Sequence, residues 1–331
     1  MTRNWLVVVR LNKPEKEVRD YYDATERDVL KKLEQHYKEA LKDINKRIAQ
    51  LLGQQNPQLP EIINHVEYQR TVKAWIQAAL DRLHAKEYDS ISDYLADSYK
   101  NGFVGTMYTL HHQDHPFLIP IDENMAIKAV TLHTRLKDEL DTSLGFDLKE
   151  LRKTIQTEIT RGVASGLMYK DIARNIANAS GVPMRRAKTI ARTEAGRIQE
   201  QATMDAANEA KAKGADLIKQ WSAIRDGKTR DNHRYLHGQV RELDEYFEVE
   251  GHQALEPHGF GVASEDCNCR CTTLIRPRSE MDETEYKRLQ EVARDHGLLV
   301  KDSKEFGHKK ARNFADFKKN YLNAMNVVEP K

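Results

Sequence analysis

The chain has 331 residues, of which 39% are hydrophobic, 31% charged and 7% aromatic. That length suits two domains with a helical extension, and no run approaches the roughly 18 apolar residues of a membrane-spanning helix. Lys and Arg number 53 against 51 Asp and Glu, a net charge of +2, so no global field gathers nucleic acid and a DNA contact needs a local patch.

The opening "MTRNWLVVVRLNKPEK" holds five apolar residues before Arg10. That is too short for a secretory signal core, and no small-residue cleavage site follows. The expectation is a cytosolic chain with reduced thiols, no membrane contact and no disulfide framework.

Residues 15–52 read as one long helix. Leu30, Leu33, Tyr37, Leu41, Ile44, Ile48 and Leu51 step by three or four, a narrow apolar seam between charged flanks. Gly53 and "GQQNPQLP" end it. Further helices are predicted over about 61–86 and 88–100, with a break at Asn101-Gly102. This stretch, 1–101, is a helical region suited to a bundle or to a partner protein.

Residues 102–214 form a central helical region. Its first part, 102–122, looks less regular and contains "HHQDHP". His111, His112, Asp114 and His115 are metal-ligand types, but neighbours in a polar loop rarely converge on one ion. Helices are predicted over 123–142 and 147–165, then a short one between glycines. Pro183 suits the first position of a helix over 183–213, and Gly214 suits its stop. Arg185, Arg186, Lys188, Arg192 and Arg197 make its first half the most basic patch in the chain. It is either a solvated face with ordinary ion pairs or a DNA- or partner-facing surface.

The texture then changes. Residues 215–278 read as a small α+β module: a strand, an Asp-Gly turn, a short helix, a glycine stop and a β-rich "CRCTTLIRP". A charged helical tail fills 279–331, with helices expected from 280 onward and over 304–331. The fold class is therefore α+β, predominantly α-helical.

All three cysteines lie in "EDCNCRC": Cys267, Cys269 and Cys271. In a regular strand they share one face, the outer two about 13 Å apart. Two thiolates on one zinc must come within about 4 Å. Either the chain bends here or at most two cysteines ligate. His233, His237, His252 and His258 are the nearest further ligand types. His233 and His237 share a helix face, which suggests a Cys2His2 zinc site from His233, His237, Cys269 and Cys271. The alternative is a hydrogen-bonded histidine among small buried thiols.

Trp221, Asp226, Thr229, Arg230, His233 and Gly238 form a second constellation. Asp226 or Thr229 can cap the short helix, Arg230 can pair with a carboxylate, and Gly238 permits positive φ. Asp226 and His233 could also form an acid/base pair beside a metal, as in a nuclease or another hydrolase. No serine-nucleophile, H-E-x-x-H or phosphate-loop motif is present, so structure is favoured over catalysis.

"AKTIARTEAGRIQEQATM", "KQWSAIRDGKTRDNHRYLHGQV" and "CNCRC", in that order, resemble the Mu F-like phage head morphogenesis domain. The matching positions are Arg192, Thr193 and Glu194; Trp221 and Asp226; Thr229, Arg230, His233, Leu236 and Gly238; and Cys269, Arg270 and Cys271. Some members have C-x-x-C where this chain has Arg230-x-x-His233, which places His233, Cys269 and Cys271 nearest a zinc position. Where the family has His-Pro-Asn, this chain has Asp266-Cys267-Asn268, so Cys267 is extra and the fourth ligand stays open.

The resemblance implies a non-enzymatic minor capsid protein of a tailed phage or prophage. It implies assembly in the host cytoplasm, residence inside the capsid, and contacts with portal, major capsid or scaffolding protein. Phage DNA is a further candidate partner; no small-molecule substrate is implied. A metal-dependent nuclease is the alternative function, and a zinc-bearing DNA-binding regulator a third.

Overall fold

A computed structural model describes residues 11–52, 66–113, 119, 121, 134–165, 167, 169–278 and 311–325. Four long helices dominate: α1 (Lys13–Leu52), α2 (Val66–His111), α3 (Thr134–Ala164) and α4 (Tyr169–Ala212). The small module follows, with β1 (Leu217–Ser222), α5 (Asp231–Leu236), β2 (Val240–Glu242), β3 (Phe247–Val249), β4 (His252–Ala254), α6 (Ala263–Asp266) and β5 (Thr272–Pro277); α7 (Phe314–Met325) comes last. The helix-dominated α+β class read from the sequence is the one observed.

Helix α1 starts where the sequence supplies a capping box. Asn12 Oδ1 accepts from Glu15 N at 2.9 Å, and Glu15 Oε2 accepts from Asn12 N at 2.8 Å, so two orphan donors are satisfied together. Of its seam, Leu33, Tyr37 and Ile44 are buried.

The long helices run through three of the predicted breaks. Asn101-Gly102 lies inside α2, because residues 101–110 are all buried and Gly102 lets α4 approach. A Cβ at Gly102 would sit 2.2 Å from Gln199 O. Helix α3 passes through Gly145, carried by Leu144, Leu148, Leu151, Ile155 and Ile159 on one buried stripe. Pro183 does not open a helix but lies within α4. The buried stripe Ile172, Ile176, Ala187, Ala191 stays in register across it. A mid-helix proline costs about 3 kcal/mol, and burial on both sides offsets that.

The chain divides into two compact units: 1–26, 95–133 and 192–331 in one, and 27–94 and 134–191 in the other. They cut across the consecutive regions 1–101, 102–214, 215–278 and 279–331. Antiparallel helices bring distant parts of the sequence side by side, and a helix end then belongs with its neighbours in space.

In the first unit, α2 is ringed by hydroxyl contacts: Tyr22 Oη donates to Asn101 O at 2.7 Å, Tyr99 Oη to Asp205 at 2.9 Å and Tyr108 Oη to Glu17 at 2.6 Å. Helix α7 seals this end with Phe314, Phe317 and Tyr321, all buried. The tail is helical over α7 as expected; the helix expected from 280 lies outside the described residues. His111 and His112 lie at the end of α2, His112 packed on Tyr108 and His111 on Phe317, while Asp114 and His115 lie outside the described residues.

The module holds a three-stranded antiparallel sheet in the order β2-β1-β5 and a β3-β4 hairpin. Strand β1 is central, with Trp221 opposite Thr273 and Gln220 opposite Leu274. The hairpin turns through Glu250 and Gly251 at φ 46° and 79°, the positive pair of a type I′ turn. Lys219 is fully buried in β1, its Nζ donating to Leu243 O at 2.8 Å.

One buried acid ties α4 to the sheet. Glu200 Oε2 accepts from Thr273 N at 2.7 Å, and burial pushes its carboxyl from 4.5 up to about 8. In the second unit, burial likewise pushes Glu87 up to about 8. Acids kept protonated by folding add stability that is full below about pH 4.5 and is lost as pH rises through about 8. Chemical denaturation from pH 5 to 8.5 should therefore show stability falling with pH. Glu200→Gln should flatten that slope, and an unchanged slope refutes the assignment.

Candidate functional site

The module packs around one tryptophan. Trp221 is fully buried and meets Phe247 at 5.0 Å, Phe260 at 5.8 Å and the ring of His233, edge-on, at 5.8 Å. Leu236, Val249, Ala254, Cys269 and Cys271 complete this core. Such a small core needs further ties, since its buried apolar area is limited.

His233 supplies two of them. Helix α5 turns His233 and Leu236 inward. His233 Nε2 lies 3.0 Å from Glu265 Oε2, and Nδ1 lies 3.2 Å from Cys271 Sγ and 3.5 Å from Cys269 Sγ. A carboxylate on Nε2 makes that nitrogen the donor, which leaves the Nδ1 lone pair facing the thiols. Burial works against protonating His233, but Cys269 and Glu265 outweigh it and the net direction is up. The Cys269 thiol is pushed up by its hydrogen bond with Cys271 and then by burial.

The chain bends to bring the cysteines together. Asn268 has φ 54°, so Cys269 and Cys271 precede β5 and do not lie along a strand. Cys271 N donates to Cys269 Sγ at 3.4 Å. Helix α4 holds the bend: Asn268 N donates to Thr193 Oγ1 at 3.0 Å, and Arg192 Nη1 reaches Asn268 Oδ1 at 3.2 Å. This is why "ARTE" and "CNCRC" belong to one motif despite the distance between them.

Ligand atoms of His233, Cys269 and Cys271 all lie within 4.8 Å of one another. His237 does not join them. Its Nδ1 accepts from Ala223 N at 3.0 Å, because the short helix ends there and directs the ring to β1. Cys267 is only half-buried, at the end of α6, and its carbonyl accepts from Arg230. Asp266 takes the amides of Phe260 and Gly261 at 3.1 and 2.7 Å, so it fixes a loop. His252 lies in β4, opposite Val249.

The second constellation divides. Gly238 has φ 88°, as its place after the helix requires. Arg230 donates to the carbonyls of Glu265 and Cys267 and not to a carboxylate, and α5 has no side-chain N-cap. Thr229 donates to Ile224 O and Asp226. Asp226 closes its own turn on Lys228 N and binds Arg270 through two bonds at 2.7 and 2.8 Å. Arg270 holds the Asp226 carboxyl well below the usual carboxylate range. Asp226 and His233 therefore engage different partners and form no acid/base pair.

The basic patch on α4 is largely neutralised. Arg186 pairs with Asp147 at 3.2 Å, Lys188 with Glu34 at 3.0 Å, Arg192 with Glu26 at 2.7 Å and Arg197 with Glu194. Arg185 is exposed.

Sequence reasoning missed Glu265 and Gly196. Glu265 stands beside the thiols in "EDCNCRC", but no periodicity marks it. Gly196 admits a ring: a Cβ there would sit 2.5 Å from His258. Only the helix–loop approach reveals that need.

A long-helix scaffold bearing a small sheet module, with a histidine and two thiols closing it, defines the class. Over residues 153–274, a stretch that holds the Trp221, His233 and Cys269–Cys271 motif positions, the chain matches the family described as Phage Mu protein F like protein. It is 32% identical over 143 residues to the minor head protein GP7 of Bacillus phage SPP1, covering 43% of this chain and 46% of GP7. It is 33% identical over 268 residues to the NAD(+)--arginine ADP-ribosyltransferase EFV of Enterococcus faecalis, covering 80% of this chain and 55% of EFV. The chain thus spans about half the length of these curated relatives. No solved structure matches it.

Trp221→Ala should destabilise the first unit by about 3–5 kcal/mol, the cost of emptying a large aromatic site. Asp226→Asn should leave the denaturation midpoint nearly unchanged, because exposed pairs contribute little. Equal losses from both would contradict this ranking.

Proposed function

We propose that this protein is a structural component of the head of a tailed phage or prophage. In this reading it is made in the host cytoplasm and incorporated inside the capsid. Its helices contact the portal and the major capsid or scaffolding protein, with roles in head morphogenesis and DNA delivery. The observation that carries the reading is that the family's motif residues form the interior of a module. Trp221, His233, Cys269 and Cys271 are each at most 3% exposed. Such positions brace a fold and give a substrate no access. DNA contact ranks below protein contact, because Arg186, Lys188 and Arg197 already hold carboxylates.

The likeness to EFV favours a second reading, in which the chain is part of an arginine ADP-ribosyltransferase. Fold likeness alone does not transfer an activity. Quantitative mass spectrometry on purified particles from the strain that encodes the chain separates the two. A few copies per particle are expected. Absence from particles, with the protein free in the lysate and modifying arginine in the presence of NAD, would overturn the structural reading.

A further inference from the structure

We propose that His233, Cys269 and Cys271 bind one zinc ion and that His258 supplies the fourth ligand. Two thiolates and a neutral imidazole within 4.8 Å are a donor set suited to a soft-to-borderline divalent metal. On tetrahedral zinc, with Zn–S near 2.3 Å and Zn–N near 2.0 Å, ligand atoms lie about 3.3–3.8 Å apart. His233 Nδ1 already meets the two sulfurs at 3.2 and 3.5 Å. Those two spacings are already close to tetrahedral ones, and the two sulfurs lie within 4.8 Å of each other.

The surroundings are those of a metal site. Glu265 Oε2 takes His233 Nε2 at 3.0 Å, and Glu265 Oε1 accepts from Asn232 Nδ2 at 3.3 Å. This carboxylate–histidine pair fixes the tautomer that leaves Nδ1 free to ligate. The amide of Cys271 points at Cys269 Sγ, a donor that stabilises a thiolate.

His258 provides the independent observation. It is 3% exposed, and its Nδ1 has no hydrogen-bond partner among the described residues. His258 is among the groups that act on the Cys269 thiol. Two local costs place it there. His258 adopts φ 67°, a conformation that L side chains rarely take. Gly196 leaves the space its ring occupies, at a cost to the helix relative to alanine. His258 lies outside the three-residue cluster as it stands, and its ring would have to turn toward the ion to ligate it. His237 Nδ1 is held by Ala223 N, and Cys267 is not in the cluster.

The test uses the full chain, purified reduced and without chelator. Elemental analysis should give one zinc per chain. Cobalt(II) titration of the metal-free wild type should give the intense ligand-field bands of a tetrahedral site and thiolate charge-transfer absorption. Cys269→Ser and Cys271→Ser should lose the metal, while Cys267→Ser and His237→Ala should keep it. His258→Ala should weaken zinc at least tenfold in a chelator competition and change the cobalt bands. Glu265→Gln should weaken it about 10–100-fold with the bands retained. No stoichiometric zinc, and no tetrahedral cobalt spectrum in the folded wild type, would overturn the site. The wild-type spectrum decides this even if a cysteine variant fails to fold. Unchanged affinity and bands in His258→Ala would overturn the fourth ligand alone. Neither result depends on whether the protein is found in particles.

Discussion

The module depends on the orientation of one imidazole. His233 sits edge-on to Trp221, hands Nε2 to Glu265 and turns Nδ1 to two thiols. Each contact needs the others. Without Glu265 the tautomer is not set, and without the bend at Asn268 the thiols do not meet the ring. Without α5 the ring does not enter the core. A buried polar group with both nitrogens engaged helps specify one arrangement of a small core, whereas an incompletely bonded one would be costly.

That arrangement reaches beyond the module through α4. Thr193 and Arg192 hold Asn268, Gly196 receives His258, and Glu200 takes the amide of Thr273. Positions 192, 193, 196 and 200 recur at helical spacing, so one face of α4 meets successive parts of the loop and β5. The Mu F-like match, from 153 to 274, includes this helix as well as the sheet. Helix and sheet behave as one construction: the sheet alone would lose the contacts that shape its cysteine loop.

The helical part obeys a different rule. Its continuity comes from uninterrupted buried stripes and not from the absence of breakers. Gly102 and Gly145 are tolerated because the first admits a neighbour and the second lies between buried leucines. Pro183 is tolerated because apolar residues continue in register on both sides. Local propensity amounts to a few kcal/mol at such positions, and tertiary burial of this extent exceeds it.

Much was legible from residue order. The seam of α1, the helix-rich class, the Asp-Gly turn, the glycine stop at Gly238 and the grouping of His233 with Cys269 and Cys271 all follow from side-chain chemistry and motif order. The bend in "CNCRC" is one of the two alternatives that the reach of a metal–sulfur bond leaves open. The fusion of predicted helix pairs, the two compact units, the release of His237 to Ala223, the contact of Glu265 with His233 and the seat of His258 on Gly196 were decided by tertiary structure. Those choices depend on which atoms approach across long loops and between helices, and no local period or spacing in the chain encodes such distances.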